Sequence, residues 1–323
     1  GKITAKGGSQ PWAGSAGYDI NGVTVKVGTF TNCTFNNTTI EVGTFTNCTF
    51  NNITINRGTF TTCTLKDNII INGGTFNQST INGAFTINNG TITEKCRLIC
   101  NPTGVINGGA VNIKYADDLA PIYVNTNTTL IINNGSIQAE AQSRWTCAIG
   151  ADKDKNCGTI IINGGIINAI GPYGGSGIGA REALRENRGG DITINGGTIY
   201  SFTGGDYASA ICGQSVKITG GTIIGDITKD PINLNNDKVY LGITPEIANT
   251  TDVSVDGVPY YISGNHPEGN NKLYLYMTGV KHTITVRTND NKVTTYTATY
   301  VSAGVDSDGN SKGYFTFDAG STT

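Results

Sequence analysis

A short repeat at the start of the chain constrains the fold more than any other feature. The segment Gly28-Thr-Phe-Thr-Asn-Cys33 returns 15 residues later as Gly43-Thr-Phe-Thr-Asn-Cys48, and a third copy begins at Gly58. Fifteen residues are too few to bury a core, so neighbouring copies must stack on each other. Thr, Phe and Ile alternate with polar residues at a period of two, which favours strands over helices. The repeat therefore predicts a β-solenoid, that is, a parallel β-helix.

Cysteines occupy one fixed position of this repeat, at Cys33, Cys48 and Cys63. We expect them to stack on adjacent coils as an inward ladder, because a free cysteine packs as a small apolar residue. Two further pairs are close enough in sequence for a small disulfide, namely Cys96 with Cys100 and Cys147 with Cys157. Spacing alone does not decide whether either pair is bonded.

A different corner motif replaces the 15-residue repeat from about residue 70. It consists of a strand, then Asn-Gly-Gly, then a second strand, as in Ile69-Ile-Ile-Asn-Gly-Gly-Thr-Phe76 and Ile192-Thr-Ile-Asn-Gly-Gly-Thr-Ile199. Glycine supplies the positive φ of a tight corner, and a stacked Asn can bond to its neighbours above and below. Later coils are about 30 residues long, and we expect the additional residues to form loops at roughly 139–158, 171–191 and 202–209.

These patterns divide the chain into three regions. Residues 1–22 are interpreted as a lead-in that caps the first coil, because an open end would expose unpaired strand edges. Residues 23–235 are predicted to form the parallel β-helix. Residues 236–323 contain period-two strands separated by turns, which predicts a small antiparallel module of the β-sandwich type. The predicted fold class is therefore all-β.

Composition narrows the classes of function. The chain has 323 residues, of which 45 are glycine and only 14 % are charged, and its formal net charge is -2. This charge deficit, with abundant Asn, Thr and Gly, favours an extracellular or cell-surface bacterial protein over a cytosolic enzyme. We expect no nucleic-acid partner, since no basic stripe is evident, and no membrane span, since no apolar run is long enough.

The coils with Asn-Gly-Gly-x-Ile, followed by the Gly-rich element Ser176-Gly-Ile-Gly179, resemble right-handed parallel β-helices of the pectin-lyase-like class. More narrowly, they are similar to adhesin-like surface proteins of gut bacteria, in which such coils precede a β module. The strand Asn271-Lys-Leu-Tyr-Leu-Tyr-Met277 matches a strand of that module. The resemblance covers about residues 100–300 and implies a secreted surface protein of adhesin or carbohydrate-binding type.

A glycan-binding edge is predicted from aromatic and polar residues in or beside the loops. Flat rings cover the apolar face of a sugar, while polar side chains bond to its hydroxyl groups. The candidates are Trp145, Arg144, Tyr173, Arg181, Tyr200, Tyr207 and Asp206. The alternative interpretation is that these aromatic rings fold back and pack the loops.

Calcium is the one cofactor that the sequence leaves open. Asp152 and Asp154, and likewise Asp306 and Asp308, alternate with other residues in a way that supplies oxygen ligands. Neither segment continues as an EF-hand loop, so solvated hairpin loops are the simpler interpretation. The expectation is therefore no cofactor, with Ca²⁺ as the exception to test.

We expect a non-catalytic surface protein whose partner is a glycan or a host surface component. One alternative is a divergent polysaccharide lyase or hydrolase, although Asp117-Asp118 is the only adjacent acidic pair in the sequence. Another is a structural stalk or phage-fibre-like solenoid without a binding site. The Thr-Phe-Thr segments of the first three copies also predict an outward two-column threonine array. Some antifreeze proteins bind ice with such arrays, although threonine is also a common exposed strand residue.

Overall fold

The computed structural model describes residues 19–181, 189–205, 209–227, 230–260, 271–305 and 311–323. Within these ranges every regular element is a β-strand, which confirms the predicted all-β class. Strands from Asp19 to Ile224 pair in parallel, and strands from Val239 onward pair antiparallel. In these same ranges, no helix has the length and hydropathy that a membrane crossing requires.

The larger parallel sheet, sheet A, contains fifteen strands. They are β1 (Asp19–Asn21), β2 (Thr24–Val25), β4 (Thr34–Ile40), β6 (Thr49–Ile55), β8 (Thr64–Ile71), β10 (Thr80–Ile87), β12 (Arg97–Ile106), β14 (Ile122–Val124), β15 (Thr129–Ile132), β17 (Ile149–Gly150), β18 (Thr159–Ile162), β20 (Ile178–Gly179), β21 (Asp191–Ile194), β23 (Ile211–Cys212) and β24 (Ser215–Ile218).

The second parallel sheet, sheet B, contains ten strands and contributes one strand to each coil. They are β3 (Thr29–Thr31), β5 (Thr44–Thr46), β7 (Thr59–Thr61), β9 (Thr75–Asn77), β11 (Thr91–Ile92), β13 (Ala110–Tyr115), β16 (Ser136–Ala141), β19 (Ile166–Ile170), β22 (Thr198–Phe202) and β25 (Thr222–Ile224).

The cross-section of the solenoid changes along its length. Thr29 pairs with Thr44 and Thr44 with Thr59, so the first coils advance by 15 residues and contain one strand from each sheet. At β12 sheet A divides, because its first half pairs with β14 and its second half with β15. Later coils therefore contain three strands, and the coil from Ile166 to Thr198 advances by 32 residues. The additional residues lie in the loops between strands.

Stacked side chains fill the interior. Phe30, Phe45, Phe60 and Phe76 form one column with ring centroids 4.7–5.3 Å apart and nearly parallel planes. The inward thiol ladder is also present and continues beyond the repeat, since Ser79 and Cys96 occupy the next two coils. The side chains of Cys48, Cys63 and Ser79 donate to the carbonyl groups of Phe30, Phe45 and Phe60 in the preceding coil. All eight cysteines are buried thiols that form no disulfide bond, so neither short-range pair is bonded.

An asparagine ladder runs along the corner between the sheets. It contains Asn56, Asn72, Asn88, Asn107, Asn133, Asn163 and Asn195, and from Asn72 onward the amide Nδ2 of each Asn donates to Oδ1 of the Asn one coil earlier at 2.7–3.0 Å. The hydroxyl of Thr219 donates to Asn195 and ends the ladder. This confirms the hydrogen bonding between stacked corners that the Asn-Gly-Gly motif predicts.

The antiparallel part has two sheets around one core. A two-stranded sheet contains β26 (Val239–Ile243) and β29 (Tyr274–Thr278), and a five-stranded sheet contains β27 (Thr250–Val255), β28 (Val258–Pro259), β30 (His282–Thr288), β31 (Val293–Val305) and β32 (Ser311–Thr322). Leu275 and Met277 of the first sheet pack with Ile284, Val286 and Phe315 of the second. This is the small antiparallel module that the sequence predicts.

The module lies against the last coils of the solenoid. The hydroxyl of Tyr260 donates to the carbonyl of Gly221 at 3.3 Å and accepts from the amide of Tyr276. Tyr276 also packs against the solenoid core. Burial raises the pKa of both phenols, because the low-polarity surroundings disfavour the charged form.

Candidate functional site

The loops that follow β13, β16, β19 and β22 stack on each other along one edge of sheet B. The amide of Gln142 donates to Tyr115, the hydroxyl of Ser143 to the carbonyl of Ala116, and the amide of Gly171 to Phe202. These contacts repeat the parallel pairing of the strands inside the loops. Residues far apart in sequence therefore meet at this edge, which we call the loop edge (residues 115–118, 142–147, 171–177 and 202–205).

Three of the seven predicted glycan-binding residues lie on the loop edge, and a fourth, Arg181, reaches it from the end of β20. The rings of Trp145 and Tyr173 lie edge to face with centroids 5.7 Å apart. The guanidinium carbon of Arg181 lies 4.0 Å from the centre of the Trp145 ring, and that of Arg144 lies 5.2 Å from the centre of the Tyr173 ring. Both distances are within the range of cation–π attraction. We call these four residues the aromatic–arginine cluster.

Trp145 is a packing residue as well as a member of this cluster. Its ring passes so close to Gly174 that a Cβ atom at that position would lie 2.1 Å from it. Arg181 covers the indole ring, and the Trp145 side chain is half-buried. For Trp145 the structure therefore shows the packing contacts that the alternative interpretation predicts.

The backbone of Trp145 is strained. Its φ of 71° is in the left-handed region, which bulky residues rarely adopt. The amide of Trp145 donates to the carbonyl of Tyr173 in the neighbouring loop, and the amide of Thr146 donates to the carbonyl of Ser143 in the same loop, so the turn is held from both sides. Left-handed conformations at non-glycine residues cluster at binding and catalytic sites, where surrounding contacts maintain them.

Tyr173 and Phe202 present the accessible aromatic surface of the loop edge. Tyr173 is 37 % exposed and Phe202 is 43 % exposed. The loop after β22 lies beside Tyr173, since a Cβ atom on Gly205 would lie 2.5 Å from its ring. Arg144 is exposed next to Tyr173. The accessible side chains are thus two aromatic rings and one guanidinium. They suit a flat ligand that has apolar faces and also carries hydroxyl or anionic groups.

The remaining glycan-binding candidates are placed differently. Tyr200 lies on the outer face of β22, between Asn168 and Ile224 of the neighbouring strands, and is half-buried. Burial raises the pKa of its hydroxyl. Asp206 and Tyr207 lie outside the described residues. Ile166, which the sequence interpretation did not include, is 52 % exposed on the same outer face and forms part of this apolar surface.

Both described calcium candidates are engaged by arginines. The carboxylate of Asp152 accepts two 2.7 Å hydrogen bonds from Nη2 of Arg97 and a third from the amide of Ala120. Asp154 accepts one from Nη1 of Arg181 at 2.9 Å. Among the described residues, no three His, Cys, Asp or Glu side chains lie close enough together to hold a metal ion. Asp306 and Asp308 lie outside the described residues.

An open depression of about 450 Å³ adjoins the loop edge. Its lining residues are Glu94, Lys95, Lys114, Tyr115, Ala116, Asp117 and Gln142. The Nζ of Lys114 forms a 2.6 Å ion pair with Glu140 of the next coil. Sequence reasoning missed this group, because Lys95 and Lys114 are brought together only by the stacking of coils. Charged residues that recur one coil apart in the sequence would have indicated this group.

Comparisons with protein-family models, with curated proteins and with solved structures found no match for the chain.

Proposed function

We propose that the protein is a non-catalytic, extracellular bacterial surface protein that binds glycan through the loop edge. The observation that carries this proposal is the strained turn at Trp145, whose ring is fixed beside Tyr173 and against the guanidinium of Arg181. A left-handed tryptophan costs stability, and a binding role explains why the loop retains it. The resemblance of the coils to pectin-lyase-like β-helices and to adhesin-like proteins of gut bacteria supports the same class.

The exposure of each side chain indicates its role in the site. Trp145 and Arg181 are half-buried and hold the loops, and so they act as positioning residues. Tyr173 and Phe202 are exposed and offer ring surface for the C–H face of a sugar, while Arg144 offers donors for its oxygens. The loop edge therefore binds a glycan with Tyr173, Phe202 and Arg144.

A glycan array followed by titration of the best ligand tests this proposal. We expect Tyr173→Ala and Arg144→Ala each to weaken binding at least tenfold without lowering the melting temperature. Tyr314→Ala is the matched control, since Tyr314 is also an exposed tyrosine but belongs to the antiparallel module. Equal binding by Tyr173→Ala and the parent would rule out the loop edge. An array without any selective ligand would favour a structural stalk.

The depression beside the loop edge favours one second candidate, a divergent polysaccharide lyase or hydrolase. It brings two carboxylates, Glu94 and Asp117, together with Lys95, Lys114 and Tyr115. Carboxylates, lysine and tyrosine are the groups that act as acids and bases in polysaccharide cleavage. Assays for new reducing ends and for unsaturated products test it, with Glu94→Gln and Asp117→Asn as the variants. Product formed at the same rate by both variants would exclude this depression as the active site.

A further inference from the structure

The outer face of the first five strands of sheet B forms a regular array, which we call the threonine face. One column contains Thr29, Thr44, Thr59, Thr75 and Thr91, and the other contains Thr31, Thr46, Thr61, Asn77 and Thr93. The sequence repeat predicts three such rows, and the structure extends them to five. Nine of the ten residues are threonine, and none is charged. Such uniformity over five coils exceeds what a solvated strand surface requires.

The strands that carry the threonine face repeat regularly. Directly behind this face, the rings of Phe30 and Phe45 differ in plane by only 7°, and the next two pairs in the column differ by 9° each. Rings on successive strands thus adopt nearly the same orientation. The threonines extend from these same strands, which pair in parallel and in register, so each row of the face repeats the one before it.

The register of the threonine face is also regular. All pairings from β3 to β11 are in register, and the centroids of the stacked Phe rings behind the face lie 5.3, 4.9 and 4.7 Å apart. Within one strand, alternate residues lie about 6.6 Å apart. The face thus presents a two-dimensional lattice of identical groups. A flexible dissolved ligand gains little from such periodicity, whereas a crystalline ligand contacts every position.

The side chains of the threonine face favour one kind of crystalline ligand. Each threonine offers one hydroxyl, which can donate and accept, and one methyl group, which orders water without binding it. Within the described part of the chain, Thr93 is the only threonine of the face whose hydroxyl bonds to a protein oxygen. Ice is a crystal in which every water molecule both donates and accepts hydrogen bonds, so its surface offers partners to a whole array of hydroxyl groups.

We propose that the threonine face binds ice. The hydroxyl and methyl groups of the two columns order a layer of water molecules. This ordered layer then joins the surface of an ice crystal. The threonine face and the aromatic–arginine cluster are built from different strands and different coils. The two binding activities are therefore separable by mutation.

Partition into slowly growing ice tests the proposal. The fraction of protein frozen into ice is measured beside a protein of similar mass that has no ice affinity, and the gap between melting and freezing temperatures is measured on the same samples. We expect the parent to be enriched in ice and to show such a gap. A parent that is neither enriched nor active in the freezing measurement would overturn the proposal.

A matched pair of variants locates the binding surface. Thr46→Lys with Thr61→Lys places charges in the threonine face, while Thr39→Lys with Thr54→Lys places them on the outer face of sheet A. All four threonines are half-buried, and each pair lies directly opposite on neighbouring strands. We expect only the first variant to fall to the level of the reference protein. Equal enrichment of the two variants in ice would contradict binding through the threonine face. If the first variant has a lower melting temperature, Thr44→Lys at a fully exposed position provides the same test.

Discussion

Arg181 places its guanidinium carbon 4.0 Å from the centre of the Trp145 ring and donates from Nη1 to Asp154. One side chain therefore connects the loop after β16, the loop after β17 and the end of β20. The Nε atom of the same arginine is buried and has no hydrogen-bond partner among the described residues. The indole ring thus compensates part of the desolvation of this cation. This contact holds the indole ring of Trp145 against the end of β20.

The strain at Trp145 predicts an unusual order of stability between two variants. Both Trp145→Ala and Trp145→Gly remove the ring contacts with Arg181 and Gly174. Only alanine keeps a Cβ atom in the left-handed conformation, which costs about 1 kcal/mol. We therefore expect Trp145→Gly to have the higher free energy of unfolding in urea titration. Arg144→Gly and Arg144→Ala are the controls, for which alanine is expected to be the more stable. Greater stability of Trp145→Ala would show that the turn is not strained.

The ion pair of Arg97 and Asp152 predicts strong coupling between two distant positions. The two side chains are only 11 % and 12 % exposed, and removing one partner leaves the other charge buried and unpaired. We expect Asp152→Ala to lower the free energy of unfolding by about 3–5 kcal/mol. The double variant with Arg97→Met should lose clearly less than the sum of the single variants, which a double-mutant cycle measures.

The exposed ion pair of Lys153 and Asp118 is the comparison for this experiment. Its side chains are 37 % and 59 % exposed, so solvent screens the pair and the same cycle should give a much smaller coupling energy. The lysine lowers the pKa of Asp118 mainly by hydrogen bonding to it. Similar coupling energies for the two pairs would mean that burial of Arg97 and Asp152 has no energetic consequence.

The asparagine ladder predicts a loss of stability at an exposed position. The Nδ2 of Asn133 donates to Asn107 and its Oδ1 accepts from Asn163, both at 2.7 Å. Asn133→Ala removes both hydrogen bonds, and at about 1 kcal/mol for each it should lower the free energy of unfolding by about 2 kcal/mol. Gln138→Ala is the control, because Gln138 is an exposed amide in the same coil. Equal effects of the two substitutions in thermal unfolding would contradict a stabilising ladder.

Buried thiols predict loss of stability at alkaline pH. Burial raises the pKa of Cys100 and that of Cys157 from the ordinary value near 9 to about 12. A thiol with a raised folded-state pKa favours the folded protein fully below pH 9, and this contribution is lost as the pH rises from 9 through 12. Each such thiol changes the free energy of unfolding by up to about 1.4 kcal/mol per pH unit in that range. Urea titrations at pH 8, 9, 10 and 11 should show the decline.

Replacing one thiol checks the cause of this decline. Cys100→Ala should reduce the slope between pH 9 and 11, because one titrating group is removed, even though the variant is less stable at pH 8. An unchanged slope would assign the alkaline transition to other groups, of which the buried phenols of Tyr260 and Tyr276 are the first to examine.

The repeat contains most of the information about the fold. A 15-residue period with inward Phe and Cys specifies stacking in register, because a one-residue shift would turn every buried side chain outward. The Asn-Gly-Gly corners are specified in the same way, because each corner needs a residue with positive φ and a hydrogen-bond partner in the next coil. These features are determined by residues that are close in sequence or one period apart.

The candidate site was only partly predictable. Arg144 and Trp145 are adjacent, but their meeting with Tyr173 and Arg181 depends on the lengths of the loops that separate them. Asp152 was interpreted as a possible calcium ligand, whereas in the folded chain its carboxylate pairs with Arg97, 55 positions away. No local pattern links these two residues. The number of coils between them and the direction of each loop decide the contact.

The sequence by itself therefore determined a parallel β-helix with thiol, phenylalanine and asparagine columns, followed by an antiparallel module. Only the tertiary structure decided which loop side chains meet and which charges pair. The physical reason is the range of the interactions. Strand periodicity and corner geometry act within one coil or between identical positions of neighbouring coils. Loop contacts and ion pairs depend instead on how the whole stack places non-identical residues in three dimensions.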